Sequence, residues 1–158
     1  MRASDVTDGA IAGAVGTTAL NAVTYLDMAL RARPSSGTPD EAAGRLAGAA
    51  HLDLGPAPKA TNRRTGLGAL LGYATGVGVG VGFALLARGR RQPLAAAGGL
   101  IGASAMTMTD VSLTVLRVTD PRTWRRSDWL ADIVPHLVYG VVAAATWNRL
   151  RPPAKRRG

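Results

Sequence analysis

The hydrophobic pattern divides the chain into four long apolar runs separated by basic loops. One run has no charged side chain, and each of the other three has a single aspartate. A helix needs about 20 mostly apolar residues to cross a hydrocarbon layer of about 30 Å, and every run is long enough. The pattern predicts one all-α domain over 1–158, a polytopic integral membrane protein with four transmembrane helices. The predicted spans are 9–30, 66–87, 93–116 and 129–149, followed by a basic tail at 150–158.

The formal net charge of +9 does not change this interpretation. On a soluble chain such a charge would suggest nucleic acid as the partner. Here the 19 Lys and Arg residues lie almost entirely between and beyond the apolar runs, so the predicted partner is the lipid bilayer. The chain has no cysteine, which excludes disulfides, thiolate metal sites and cysteine nucleophiles.

The loop between the first two spans contains a second helical signal. The sequence T-P-D-E at 38–41 has the form of a capping box, with proline at the first helical position. Leu46, Ala49, Ala50 and Leu54 follow at helical spacing. These features predict a short amphipathic interfacial helix at about 39–54, with a mostly structureless linker as the alternative.

Charge gives little information about orientation. Nine basic residues fall on the side of the termini and ten on the opposite side, so the positive-inside rule nearly balances. The dense clusters at 88–91 and in the tail favour cytoplasmic termini in the inner (plasma) membrane, and dual topology stays open. The first span is too long for a signal peptide and follows acidic residues, so we expect it to be retained.

Glycines recur every four residues in the spans. In lipid a helix satisfies its own backbone hydrogen bonds, and glycine provides a smooth surface on which another helix can approach closely. The spacing at 76–82 fits neither a dinucleotide fingerprint nor a phosphate loop. We therefore predict glycine-mediated helix packing, within the monomer or between copies. The predicted packing residues are Gly68, Gly72, Gly76, Gly80, Gly98 and Gly102, with lesser ladders at Gly9 and Gly13 and at Gly78 and Gly82.

The loop between the second and third spans is only about five residues long and contains Arg88, Arg90 and Arg91. A connection this short predicts a tight turn joining two neighbouring antiparallel helices. Anionic headgroups are expected near these guanidinium groups.

Polar residues line one face of the first, third and fourth spans at helical spacing. Alternating chain direction places the end of span one, the end of span three and the start of span four in the same half of the bilayer. An ionisable group at such depth is costly and is a functional candidate by default. The predicted polar intramembrane cluster comprises Asn21, Asp27, Arg31, Asp110, Arg117, Asp132, His136 and Tyr139.

Two interpretations of this cluster remain open. In the first it is structural, with Asp110 paired to Arg31 or Arg117. In the second it is a proton or ion path, with His136 as the group that titrates near neutrality. The sequence contains no nucleophile with a base beside it and no H-E-x-x-H pattern. We therefore predict no enzyme activity, no metal and no cofactor.

The stretches GAIAGAVGTTALNAVTYLDMALRARPSSGTPDE at 9–41 and PHLVYGVV at 135–142 resemble small uncharacterised inner-membrane proteins of high-GC bacteria. This resemblance implies a four-helix membrane protein and carries over no activity or functional residue. The expected function is an interaction or accessory component that self-associates or joins a larger membrane complex. The alternative is a small ion- or proton-coupled transporter or channel.

Overall fold

The computed structural model describes residues 3–151, so Arg2 and residues 152–158 of the predicted basic tail lie outside the described residues. The described chain is all-helical. A single 3-10 turn, Pro121–Thr123, precedes the last helix. The five α-helices are α1 (Ala3–Arg31), α2 (Thr38–Ala49), α3 (Ala57–Ala87), α4 (Leu94–Val115) and α5 (Arg126–Arg149).

Three helices are long and apolar enough to cross a membrane, namely α3, α4 and α5. Helix α1 has 29 residues but is not one of the three. Threonine and asparagine side chains at 17, 18, 21 and 24 lower its hydropathy. Helix α1 is therefore as long as the three candidate spans but less apolar than they are.

Helix α1 occupies the centre of the packing, between α3 and α5, and α5 also packs against α4. The chain turns tightly between α3 and α4, where Arg88 and Gly89 have φ of 48° and 72° and the Arg90 N–H donates to the Ala87 carbonyl at 3.0 Å. Despite this turn, α3 and α4 touch each other far less than they touch α1 and α5 respectively. The predicted tight turn is confirmed, and the two helices that it joins are in contact, although over a smaller surface than α1 with α3 or α4 with α5.

Several helix ends differ from the sequence prediction. Helix α2 ends at Ala49 rather than 54, and α3 begins at Ala57, nine residues before the predicted span at 66. The capping box at 38–41 is absent, because Thr38 is already helical and Gly37 occupies the cap position without a side chain to accept a bond. One half of such a box forms at α5 instead, where the Asp128 carboxylate accepts from the Arg125 backbone N–H at 2.9 Å.

The connection from α4 to α5 is held by its own polar contacts. The Asp120 carboxylate accepts from the Arg122 backbone N–H at 3.0 Å and from its guanidinium at 3.1 Å. These two bonds to Arg122 hold the pKa of Asp120 below its usual value. The Trp124 and Trp129 rings meet edge to face with centroids 5.0 Å apart, which folds the loop onto the start of α5.

The core is built mainly from small side chains, with a few large ones between them. Ala84, Ala143 and Ala144 are fully buried, as is Trp147, whose ring meets Phe83 edge to face at 5.8 Å. Because alanine and glycine fill most contact positions, the helix backbones approach each other closely. Dispersion between closely packed atoms is the attraction that such an arrangement maximises.

Candidate functional site in the helix bundle

Helices α1 and α3 touch through glycines on both sides. A Cβ added at Gly13 would collide with the Gly76 carbonyl oxygen, and one added at Gly80 would collide with the Gly9 carbonyl oxygen. A Cβ at Gly9 would lie 2.6 Å from the Ala84 Cβ. No side chain larger than hydrogen fits at these contacts without moving a backbone.

Helices α4 and α5 meet in a similar way. A Cβ at Gly102 would lie 2.6 Å from the His136 carbonyl oxygen, and one at Gly98 would lie 3.1 Å from the Val141 Cα. On the α5 side, a Cβ at Gly140 would collide with the Gly98 carbonyl oxygen. Gly140 was not predicted, because a lone glycine in a span has no periodic signal.

The other predicted packing glycines behave differently. Gly72 has no atom within 4 Å of its built Cβ, so its predicted part in the ladder is wrong. A Cβ at Gly68 would lie 2.8 Å from the Pro39 backbone, so that glycine packs on α2 and not on a long helix. Gly78 and Gly82 also face open space.

Tyr139 joins the glycine contacts to the polar residues. Its ring is buried, and its hydroxyl donates to the Gly76 carbonyl at 2.6 Å. Thr17 lies beside the same glycine and donates to the Gly13 carbonyl of its own helix at 2.9 Å. Asn21 is half-buried, one turn further along α1.

His136 and Asp132 form a pair on successive turns of α5. His136 Nδ1 lies 2.8 Å from the Asp132 carbonyl oxygen and 3.2 Å from Asp132 Oδ1. Both neighbours are acceptors, so Nδ1 carries a hydrogen and donates it. Asp132 Oδ2 is buried, and within the described part of the chain it has no hydrogen-bond partner.

Asp110 on α4 is the third member of this group. It is half-buried and close enough to Asp132 and His136 to interact with both electrostatically. Among residues 3–151, no lysine or arginine forms an ion pair with Asp110. The predicted pairing of Asp110 with Arg31 or Arg117 is therefore wrong.

The predicted cluster is divided into separate parts. Asp27 binds Arg31 at 2.8 Å and Arg33 at 2.6 Å near the end of α1. Arg117 is exposed just beyond α4 with a φ of 56°, and its side chain has no polar partner in the described chain. We call Asp110, Asp132 and His136 the acidic–histidine group, and no lysine or arginine among residues 3–151 forms an ion pair with any of the three. No set of residues between 3 and 151 is arranged to hold a metal ion.

A second polar assembly, which the sequence analysis missed, lies at the opposite end of the helices. Arg151 is 7 % exposed and binds Asp5 at 2.7 Å and Asp8 at 3.0 Å. Its guanidinium also lies 3.8 Å from the centroid of the Trp147 ring. We call these four residues the terminal clamp, since they join the start of α1 to the end of α5. The sequence analysis placed Arg151 in a basic tail at 150–158, whereas the structure makes this residue part of the fold.

The turn after α3 is tied to the same end of α5. Arg91 donates through Nη2 to the Arg151 carbonyl at 2.8 Å, and the Trp147 indole N–H donates to the Arg90 carbonyl at 2.9 Å. Asn148 bonds the Gln92 backbone at both its N–H and its carbonyl. The Arg91 guanidinium, predicted to meet headgroups, is therefore engaged within the protein. The aspartates at 5 and 8, one helical turn apart, were the available signal for the clamp.

A comparison of the chain with protein-family models, with curated proteins and with solved structures finds no match. Its function is therefore argued from its own residues.

Proposed function

We propose that this chain is a four-span protein of the plasma membrane that acts as an interaction or accessory component of a membrane assembly. The observation that carries the proposal is the division of the α3 glycines into two sets. Gly76 and Gly80 pack against α1, whereas Gly78 and Gly82 repeat the same four-residue spacing and face open space. Small residues at this spacing are typical of helix–helix contact surfaces in membranes.

The proposal includes α1 as the fourth helix that spans the membrane. Helix α1 packs between two helices that are long and apolar enough to span, so a position outside the membrane would expose the glycine faces of both. Thr17, one of its polar side chains, is buried against α3. At 1.5 Å per residue, 29 residues reach about 43 Å, more than the hydrocarbon thickness.

Four crossings would place both termini on one side, proposed as cytoplasmic, and the loop containing Ser36 and the start of α5 with Ser127 on the other. Both serines are exposed, and the chain has no cysteine of its own. Single-cysteine variants at these positions should both react with an impermeant thiol reagent from outside intact cells. If only one of them reacts, α1 or another helix does not cross.

Assembly through the exposed glycines is tested by crosslinking in native membranes. Gly78→Leu with Gly82→Leu should abolish a crosslinked assembly, whether with copies of the chain or with another membrane protein. Because neither built Cβ meets an atom within 4 Å, thermal unfolding should stay unchanged. Gly99→Leu on α4 is the control, since Gly99 is equally open. Assembly that survives the double substitution would refute this surface as the contact.

The acidic–histidine group favours a second candidate function, an ion- or proton-coupled carrier. The group has two carboxylates, those of Asp110 and Asp132, and one imidazole, which can balance at most one of them when it is protonated. A second positive charge is therefore needed when both carboxylates are ionised away from water. A proton or small cation would supply it. The buried, unpaired Asp132 Oδ2 is the atom at which that need is greatest.

Flux measurements decide between the two candidates. Purified protein in liposomes containing a pH-sensitive dye should move protons in response to a gradient if the carrier function holds. Asp132→Asn would then abolish flux, while Asp128→Asn, an exposed aspartate on the same helix, would not. Protein that is folded, inserted and inactive in this assay would leave the interaction function as the only candidate.

A further inference from the structure

An open groove remains where α3 and α4 fail to pack. Its volume is 430 Å³, and helix α2 forms one wall. The α3 wall includes Gly68, Gly72 and Thr75, and the α4 wall includes Ser112 and Leu116. Gly72, which was predicted to pack against another helix, and the small contact between α3 and α4 both belong to this one feature.

The groove is short enough to lie within one leaflet of a bilayer. Its lining covers residues 68–75 on α3 and 109–116 on α4, which is about 10 Å along each helix at 1.5 Å per residue. Half of a hydrocarbon core of about 30 Å is about 15 Å. A transmembrane helix from another protein would need a contact surface through both leaflets, whereas an acyl chain needs only one.

Positive charge lies at one end of the groove. Arg64 is one helical turn before Gly68, and its side chain lies against α2, where a Cβ at Gly44 would be 3.0 Å from its Nε. Arg117 follows directly after Leu116. Neither guanidinium has an ion pair or hydrogen bond in the part of the chain that the structure describes. The nearby carboxylate of Asp40 accepts from the Thr65 hydroxyl.

We propose that this groove binds one anionic phospholipid, with an acyl chain between α3 and α4 and the phosphate near Arg64 and Arg117. The groove is mostly apolar along its length and has Arg64 and Arg117 at one end. This arrangement fits a molecule that is anionic at one end and hydrocarbon at the other. Guanidinium groups attract anionic headgroups by about fivefold in affinity each. This inference rests on the proposed membrane insertion, which extraction at alkaline pH tests separately: only an inserted protein stays with the membrane.

The test uses phosphatidylglycerol or phosphatidylcholine carrying a photoreactive group on one acyl chain. The full-length protein is placed in nanodiscs with either probe, irradiated, and digested for mass spectrometry. We expect adducts in 68–75 and 109–116, with the anionic probe preferred by about fivefold or more. Gly72→Leu should fill the groove and remove these adducts, while Gly99→Leu should not. Both sites are open and leucine favours the helix over glycine, so neither variant should unfold below the wild-type temperature.

The charge requirement is tested with Arg64→Gln combined with Arg117→Gln. This variant should lose the preference for the anionic probe but keep the acyl adducts. Arg149→Gln is the control and should keep both, because Arg149 is exposed at the last residue of α5, away from the groove. Equal labelling by the two probes in wild-type protein would overturn the proposal. So would adducts that persist in Gly72→Leu, or a crosslink in the groove to a second copy or to another protein.

Discussion

Replacing Gly76 by alanine tests whether the contact of α1 with α3 depends on the missing side chain. The added methyl would collide with Thr17 Oγ1 and lie 3.3 Å from the Tyr139 ring, and both side chains are buried. Overpacking a tight interior by one methyl costs about 1–3 kcal/mol. The collision also displaces the Tyr139 hydroxyl from the Gly76 carbonyl, a hydrogen bond that contributes about 1 kcal/mol. The expected loss is about 2–4 kcal/mol.

The matched control is Gly72→Ala, one turn earlier on the same helix. Both substitutions change helix propensity equally, by up to about 1 kcal/mol in favour of alanine, but Gly72 faces open space. The difference between the two variants therefore isolates packing. Thermal unfolding followed by circular dichroism in one detergent should separate their midpoints by several degrees, since about 1 kcal/mol shifts the midpoint by roughly 2–4 °C for a chain of this size. Equal midpoints, or a lower midpoint for Gly72→Ala, would refute the packing argument.

Three further substitutions test the polar contacts, each by its unfolding midpoint in the same detergent. Arg151→Gln should cost about 3–5 kcal/mol, because it removes the buried cation that binds the buried Asp5 and the half-buried Asp8, whereas exposed Arg149→Gln should have little effect; a small loss for both would contradict the clamp. Tyr139→Phe should cost about 1 kcal/mol through the lost hydroxyl bond, and an unchanged midpoint would mean that this bond adds nothing. Asp110→Asn should leave stability unchanged or raise it. The substitution breaks no ion pair with a lysine or arginine of the described chain, and it removes a negative charge close to Asp132. A clear decrease in stability would indicate a basic partner.

Local properties of the sequence were sufficient for the helical class and for several packing residues. Of the four apolar runs predicted as spans, three are in helices long and apolar enough to cross a membrane, because length and hydropathy depend only on consecutive residues. The four-residue repeat singled out Gly76, Gly80, Gly98 and Gly102, all of which contact a neighbouring helix. The position of Asp132 four residues before His136 placed both on one face of a helix, and the two side chains meet.

Which helices become neighbours was decided by the tertiary structure. Gly72 has the same spacing signal as Gly76 and lies on nearly the same face of α3, yet α1 contacts α3 at Gly76 and Gly80 and not at Gly72, which lines a groove. Arg31 was one candidate partner of Asp110, but Asp27, four residues before Arg31 on its own helix, binds it instead. The terminal clamp joins Asp5 to Arg151, 146 residues apart, and no local pattern encodes such a contact. Periodicity defines the faces of a helix, whereas the packing of all helices together determines what each face touches.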